Sequence, residues 1–247
     1  PILPLEDPNF VQLDRKLQAP SLSHPFGTDD VGRDLVSRVV YASRVSVPAG
    51  ILVVAVTVVI GCTVGAIAGF TGGWLDSLIM RVCDAVLSFP SIILAMAIAA
   101  ARGGPGLSNA MIAVILVLWP EYARLMRGQV LMLKENEFVT AAKSIGVSSR
   151  RVLFRHILPS TDAPIVVKAT LDVGAAIVLT AGLSFIGIGA VPPTAEWGAM
   201  VNQGAKIGLQ FWWYSTFPGL AILTVVMGLN FFGDGLRDAL DPRRRRR

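Results

Sequence analysis

A chain of 247 residues that is 53% hydrophobic and only 16% charged, with a mean hydropathy of +0.61, is too apolar for an ordinary soluble domain of this size. The formal net charge of +5 sits in a few short segments, with no basic domain carrying interleaved aromatic residues, which argues against nucleic-acid binding. The chain belongs in a bilayer, so the classes to separate are subunits of driven transporters, ion-coupled carriers or channels, and membrane scaffolds or receptors.

Residues 1–23 mix proline, leucine and both signs of charge and read as an extended strap outside the membrane. From His24 to Arg44 the spacing predicts an amphipathic helix at the outer surface. Thr28 or Asp29 caps it, with Val31, Leu35 and Val39 on one side and Arg33, Asp34 and Arg38 on the other. A lone histidine beside a proline, such as His24, reads as a surface or capping residue rather than a metal ligand. Residues 1–44 therefore form an external segment.

Five apolar runs follow: Val45–Leu75, Val82–Ala101 with Asp84 near its start, Gly103–Pro120, Val173–Ala195 and Ile207–Gly233. Each approaches or exceeds the roughly 18 residues that a helix needs to cross the hydrocarbon layer. Gly61, Gly65 and Gly69 share one face of the first, a small-residue stripe for close helix packing. Cys62 and Cys83 lack metal or redox spacing and read as small core residues. Lys168 and Asp172 are four residues apart near the start of the fourth span. They pair with each other, and either line a pathway or gate or neutralise one another within the bundle.

Lysine and arginine crowd the segment after the third span (Arg124, Arg127, Lys134, Lys143, Arg150, Arg151 and Arg155) and the tail at 234–247, with Arg243–Arg247 at its end. Short basic loops face the cytoplasm, so both regions are expected there, the tail also contacting anionic membrane lipid. The segment holding Glu196 and Lys206 is expected outside. Five spans from a cytoplasmic C-terminus place residues 1–44 outside, from which one further helix upstream is expected, giving six spans in the natural protein.

Between the third and fourth spans, residues 134–160 contain the stretch Glu137–Pro159. Phe138, Ala141, Ala142 and Ile145 form one helical face, and Gly146 suits a left-handed helix end. Ser148 or Ser149 can start a second helix, in which Val152, Leu153, His156 and Ile157 share a face until Pro159 stops it. The segment is a helix–turn–helix with a greasy side and a basic side. No GxxxxGK[ST] loop and no nucleophile, base and oxyanion set occur, so the chain is read as a non-catalytic subunit.

The order Glu137, Ala141–Ala142, Gly146 and Leu158–Pro159 resembles the EAA loop of bacterial ABC importer permeases, although Glu137 stands apart from the alanines. The ending RHILP, the phrase HPFGTDDVGRD and the stretches Leu183–Gly198 and Phe217–Pro242 resemble the C-type permeases of the dipeptide, oligopeptide and nickel branch. The resemblance covers nearly the whole chain, in order. It implies an all-α integral membrane protein, a polytopic helix bundle of the type I importer permease class, with a permease domain over 45–233. It further implies a second homologous permease, two ATPase subunits that bind ATP and magnesium, and an extracytoplasmic substrate-binding protein, this chain holding no cofactor of its own. ATPase docking falls by resemblance to the coupling segment: Glu137, Ala141, Ala142, Gly146, Arg151, His156, Leu158 and Pro159. Di- or oligopeptides are the expected substrates, with nickel chelates or other small solutes as the alternative. An ion-driven secondary transporter is the rival outside the family, for which buried mid-membrane acids and repeated broken helices would be expected.

Overall fold

Thirty-seven consecutive residues, Leu35–Thr71, form one helix (α1) that runs straight through Pro48. In the computed structural model, which describes residues 5–240 except the side chains of Lys143 and Arg150, eight further helices follow. They are α2 (Gly73–Leu87), α3 (Ser91–Ala101), α4 (Leu107–Lys134), α5 (Glu137–Ser144), α6 (Ser149–Val152), α7 (Asp162–Ile186), α8 (Trp197–Ile207) and α9 (Trp212–Leu240). Among the described residues there is no β-strand. The arginine run 243–247 lies outside them.

α1, α4, α7 and the stretch ending in α9 are long and apolar enough to cross a membrane. The second expected span is instead two helices, α2 and α3, bent by 96°. Ser88, Phe89 and Pro90 separate them, and the residue before a proline is pushed out of the helical region. At 1.5 Å per residue the eleven residues of α3 cover about 16 Å, too short to span alone. The helices also overrun the apolar runs. α4 continues from Pro120 to Lys134, α7 begins at Asp162 rather than Val173, and α9 passes the expected start of the tail at 234 to reach Leu240.

By internal packing the chain divides into two units. The first comprises the chain up to Val53, Ala95–Val114 and Val173–Leu229. Its core joins Leu35, Val39, Ile177, Trp197, Met200 and Tyr214. Phe26 stacks on Phe217 at 3.9 Å between ring centroids, and Trp197 donates from Nε1 to the carbonyl of Val39 at 3.0 Å.

The expected surface helix over 28–44 does not form. Asp34, not Thr28 or Asp29, caps α1, accepting from the amide of Ser37 at 2.8 Å. Arg33, Asp34 and Arg38, expected on its polar face, are buried, Arg38 to 1% exposure, and the cap candidate Asp29 is fully buried. Asp29 takes the guanidinium of Arg33 at 2.5 Å and lies 3.5 Å from that of Arg38. Arg38 also donates to the carbonyl of Pro8 at 2.8 Å. His24 is buried against Asp34, with Nδ1 3.1 Å from the carboxylate, not at the surface. A chain that reads as amphipathic becomes an internal charge cluster because the strap, tied by Leu17–Asp29 and Gln12–Val31 backbone hydrogen bonds, covers its polar side.

The helix α8 was not marked by hydropathy. Glu196, 1% exposed, starts it by accepting from the amides of Gly198 and Ala199 at 3.0 and 2.8 Å, the usual service of a carboxylate to unpaired N-terminal amides.

The second unit comprises Val54–Leu94, Ile115–Asp172 and the chain from Asn230 onward. Here the glycine stripe of α1 faces α4. A Cβ at Gly61 would meet the backbone of Trp119 and the side chain of Tyr122, one at Gly65 would overlap the backbone of Ala123, and one at Gly69 would crowd Arg127 and Val130. Two ion pairs fix α2 to α4. Arg127 grips Asp76 through two hydrogen bonds of 2.5 and 2.7 Å, and Arg124 pairs with Asp84. Cys83 is buried and Cys62 half-buried, both free.

Removing the shared acid of the first unit would leave the buried Arg38 guanidinium without a paired carboxylate and Arg33 with only the longer contact to Asp30 at 3.9 Å. Asp29→Ala is therefore expected to lower stability by about 3–5 kcal/mol, seen as a lower thermal unfolding midpoint and faster protease cutting of the strap.

Candidate functional site

The segment between α4 and α7 forms two helical pieces around Gly146, whose φ of +83° is the left-handed conformation that glycine enters without a Cβ penalty. The amide of Val147 reaches back to the carbonyl of Ala142 at 3.1 Å. The second piece is less regular than its pattern suggests. After the short α6 the backbone widens into a π turn over Leu153–Ile157 and tightens into a 3-10 turn over Leu158–Ser160. Pro159 does not stop the helical path. It occupies the first turn of the 3-10 stretch, where a missing amide costs no hydrogen bond, and α7 begins at Asp162.

The inner face of the segment is apolar. Val139, Ala142, Val152, Leu153 and Ile157 join Ala66 of α1, Met126, Val130 and Leu133 of α4 and Ile165 of α7 in one buried cluster. The single face expected for Phe138, Ala141, Ala142 and Ile145 thus splits. Ala142 packs inward beside Val139, whereas Ala141, Phe138 and Ile145 point outward, the last two 43% and 82% exposed. Ala142 consequently presents nothing to a partner. Glu137, Gly146, Arg151 and Pro159 are exposed, and His156 and Leu158 are half-buried. Phe154, missed by the sequence reading, is 67% exposed. Its signal was its place on the face opposite Val152, Leu153 and Ile157. The segment thus leaves three large apolar side chains, Phe138, Ile145 and Phe154, outward, with Glu137, Arg151 and Arg155 also exposed on it.

A second polar arrangement lies in the same unit. Lys168 and Asp172 of α7 pair at 2.9 Å, and Lys168 also reaches Glu121 of α4 at 2.8 Å. The Tyr122 hydroxyl donates to Asp172 at 2.6 Å, and its ring lies 5.2 Å below the Lys168 ammonium. Glu121 and Tyr122 were absent from the sequence reading because they follow Pro120, where the third apolar run ends. Lys168 and Asp172 lie six and ten residues inside α7, just before the apolar run that starts at Val173.

A sequence model of the family described as binding-protein-dependent transport system inner membrane component matches residues 61–246. The chain belongs to this family. The permease is 49% identical over 243 residues to the probable D,D-dipeptide transport system permease protein DdpC of Escherichia coli K12, which covers 98% of this chain and 81% of the relative. It is 48% identical over 228 residues to the dipeptide transport system permease protein DppC of Alkalihalophilus pseudofirmus, 92% of this chain and 75% of that one. To the glutathione transport system permease protein GsiD of Pectobacterium atrosepticum the identity is 43% over 242 residues, 98% and 80% of the two chains. Its fold is similar to a chain of the MetNI methionine ABC transporter in an inward-facing form. The TM-score is 0.67 at 18% identity, over 83% of this chain and 96% of that one. The permease is accordingly a membrane-embedded transport component with the type I importer fold, and the ion-driven reading is set aside.

Gly146→Val would force a branched side chain into a left-handed backbone. The expected loss is about 1–2 kcal/mol, measured as a lower unfolding midpoint.

Proposed function

We propose that this permease pairs with a second, homologous permease to form the pathway of an ATP-driven importer in the bacterial cytoplasmic membrane, and that its cargo is di- or oligopeptides. Two ATPase subunits supply ATP and magnesium binding, and an extracytoplasmic binding protein delivers the solute. The names of the dipeptide and glutathione relatives support the cargo, and the basic segments at 124–155 and 243–247 support placing that side and the C-terminus in the cytoplasm.

The observation that carries the reading is the two-sided build of residues 137–160. The inner side is anchored on α1, α4 and α7, and the outer side leaves Phe138, Ile145 and Phe154 open to a partner. An apolar patch rimmed by charge is what a protein interface requires. Seated in a cleft of an ATPase, the segment would move as that cleft closes on ATP. Because α4 and α7 leave its two ends, its displacement would tilt both helices. The permease contributes a lever and part of the path, while the partner subunits carry out the hydrolysis.

The test is gentle purification from the native membrane with identification of the co-purifying chains. A second permease, ATPases and a binding protein are expected, with a peptide on the binding protein. Recovery of the permease alone in several detergents would refute the assembly. In the same preparation the double variant Phe138→Ala, Phe154→Ala is expected to weaken retention of the ATPase about tenfold or more, as loss of two central apolar anchors does, and unchanged retention would move the docking surface elsewhere.

A further inference from the structure

The four-residue cluster around Lys168 holds a primary ammonium, that of the protein's own side chain. The Nζ is held by Glu121 Oε2 at 2.8 Å and Asp172 Oδ2 at 2.9 Å, over the face of the Tyr122 ring at 5.2 Å. Carboxylates at hydrogen-bond distance and an aromatic face are the two elements with which proteins recognise such a group. The Tyr122 hydroxyl, donating to Asp172 at 2.6 Å, fixes that carboxylate.

The charge balance sets the cluster apart from a simple neutralising pair. Two carboxylates face one ammonium, and the guanidinium groups described nearby are engaged elsewhere, Arg124 with Asp84 and Arg127 with Asp76. The cluster is also open. The side chains of Glu121, Lys168 and Asp172 are 43%, 28% and 21% exposed, which leaves its polar atoms accessible.

We propose that Glu121, Asp172 and Tyr122 form a station in the transport path for the α-ammonium of a peptide, which competes with Lys168 for the same oxygens and leaves when Lys168 returns. This rests on the peptide reading above. Lys168 then acts as a built-in competitor that keeps the station weak enough for release.

The experiment is calorimetric titration of alanyl-alanine, and of N-acetyl-alanyl-alanine, into the assembled transporter in lipid nanodiscs without binding protein. The free-amino peptide is expected to bind, and the acetylated one about tenfold more weakly, as the loss of a charge-assisted hydrogen bond implies. Glu121→Gln and Asp172→Asn are expected to weaken the free-amino peptide by a similar factor, whereas Lys168→Ala, by removing the competitor, strengthens it. A purely structural cluster would not reverse sign between these variants. Equal binding of both peptides, no binding of the free one, or weakening by Lys168→Ala overturns the station. Uptake of alanyl-alanine by the complete wild-type transporter, measured in parallel, keeps the two readings apart. Uptake with an overturned station refutes the station alone, and no uptake of any peptide refutes the cargo.

Discussion

Helix α4 carries charge beyond the end of its apolar run at Pro120, and much of the second unit follows from how that charge is paired. Glu121, Arg124 and Arg127 lie on successive stretches of one helix, and each meets an opposite charge from another element: Lys168 of α7, Asp84 of α2 and Asp76 of α2. The Arg127–Asp76 pair is the most enclosed, its side chains 33% and 12% exposed, whereas Arg124–Asp84, at 48% and 62%, is an open pair that contributes little alone; together with the Lys168 pair they hold α2 and α7 against α4.

The same constraint sorts the coupling segment. Its inner side chains complete a core begun by α1, α4 and α7, and only side chains with no place in that core are left outward. A helix of eight residues such as α5 is too short to be stable alone, so packing of Val139 and Ala142 is what forms it. The outward Phe138 and Ile145 have the positions that remain. A surface that docks a partner is therefore made by the requirements of folding.

How much of this was legible in the sequence depends on the range of the interaction. Hydropathy runs located the long helices because burial in lipid is a property of each segment by itself. Gly146 and the amphipathic flanks located the turn for the same local reason. The bend at Pro90 was signalled by its proline, yet the apolar run continued across it. What escaped was set by distant partners. Arg33 and Arg38 look like a solvated face until a strap from residues 8–17 covers them, and Glu121 looks like the end of a span until Lys168 reaches across from 47 residues away. The assignment of Ala142 to the docking face failed because an apolar stripe does not say which of its edges the core will take.

Along Gly61, Gly65 and Gly69 the α1 backbone lies against α4, on the Ala123 backbone at Gly65 and also on the side chains of Tyr122 and Val130. The glycine side of such a seam has no rotamers to freeze on packing, so it holds its place at little entropic cost. Elastic compliance in this unit must then reside where side chains mediate the packing, between the coupling segment and the helices that bear it. The seam serves as the anvil of the unit, and the segment opposite takes up the strain.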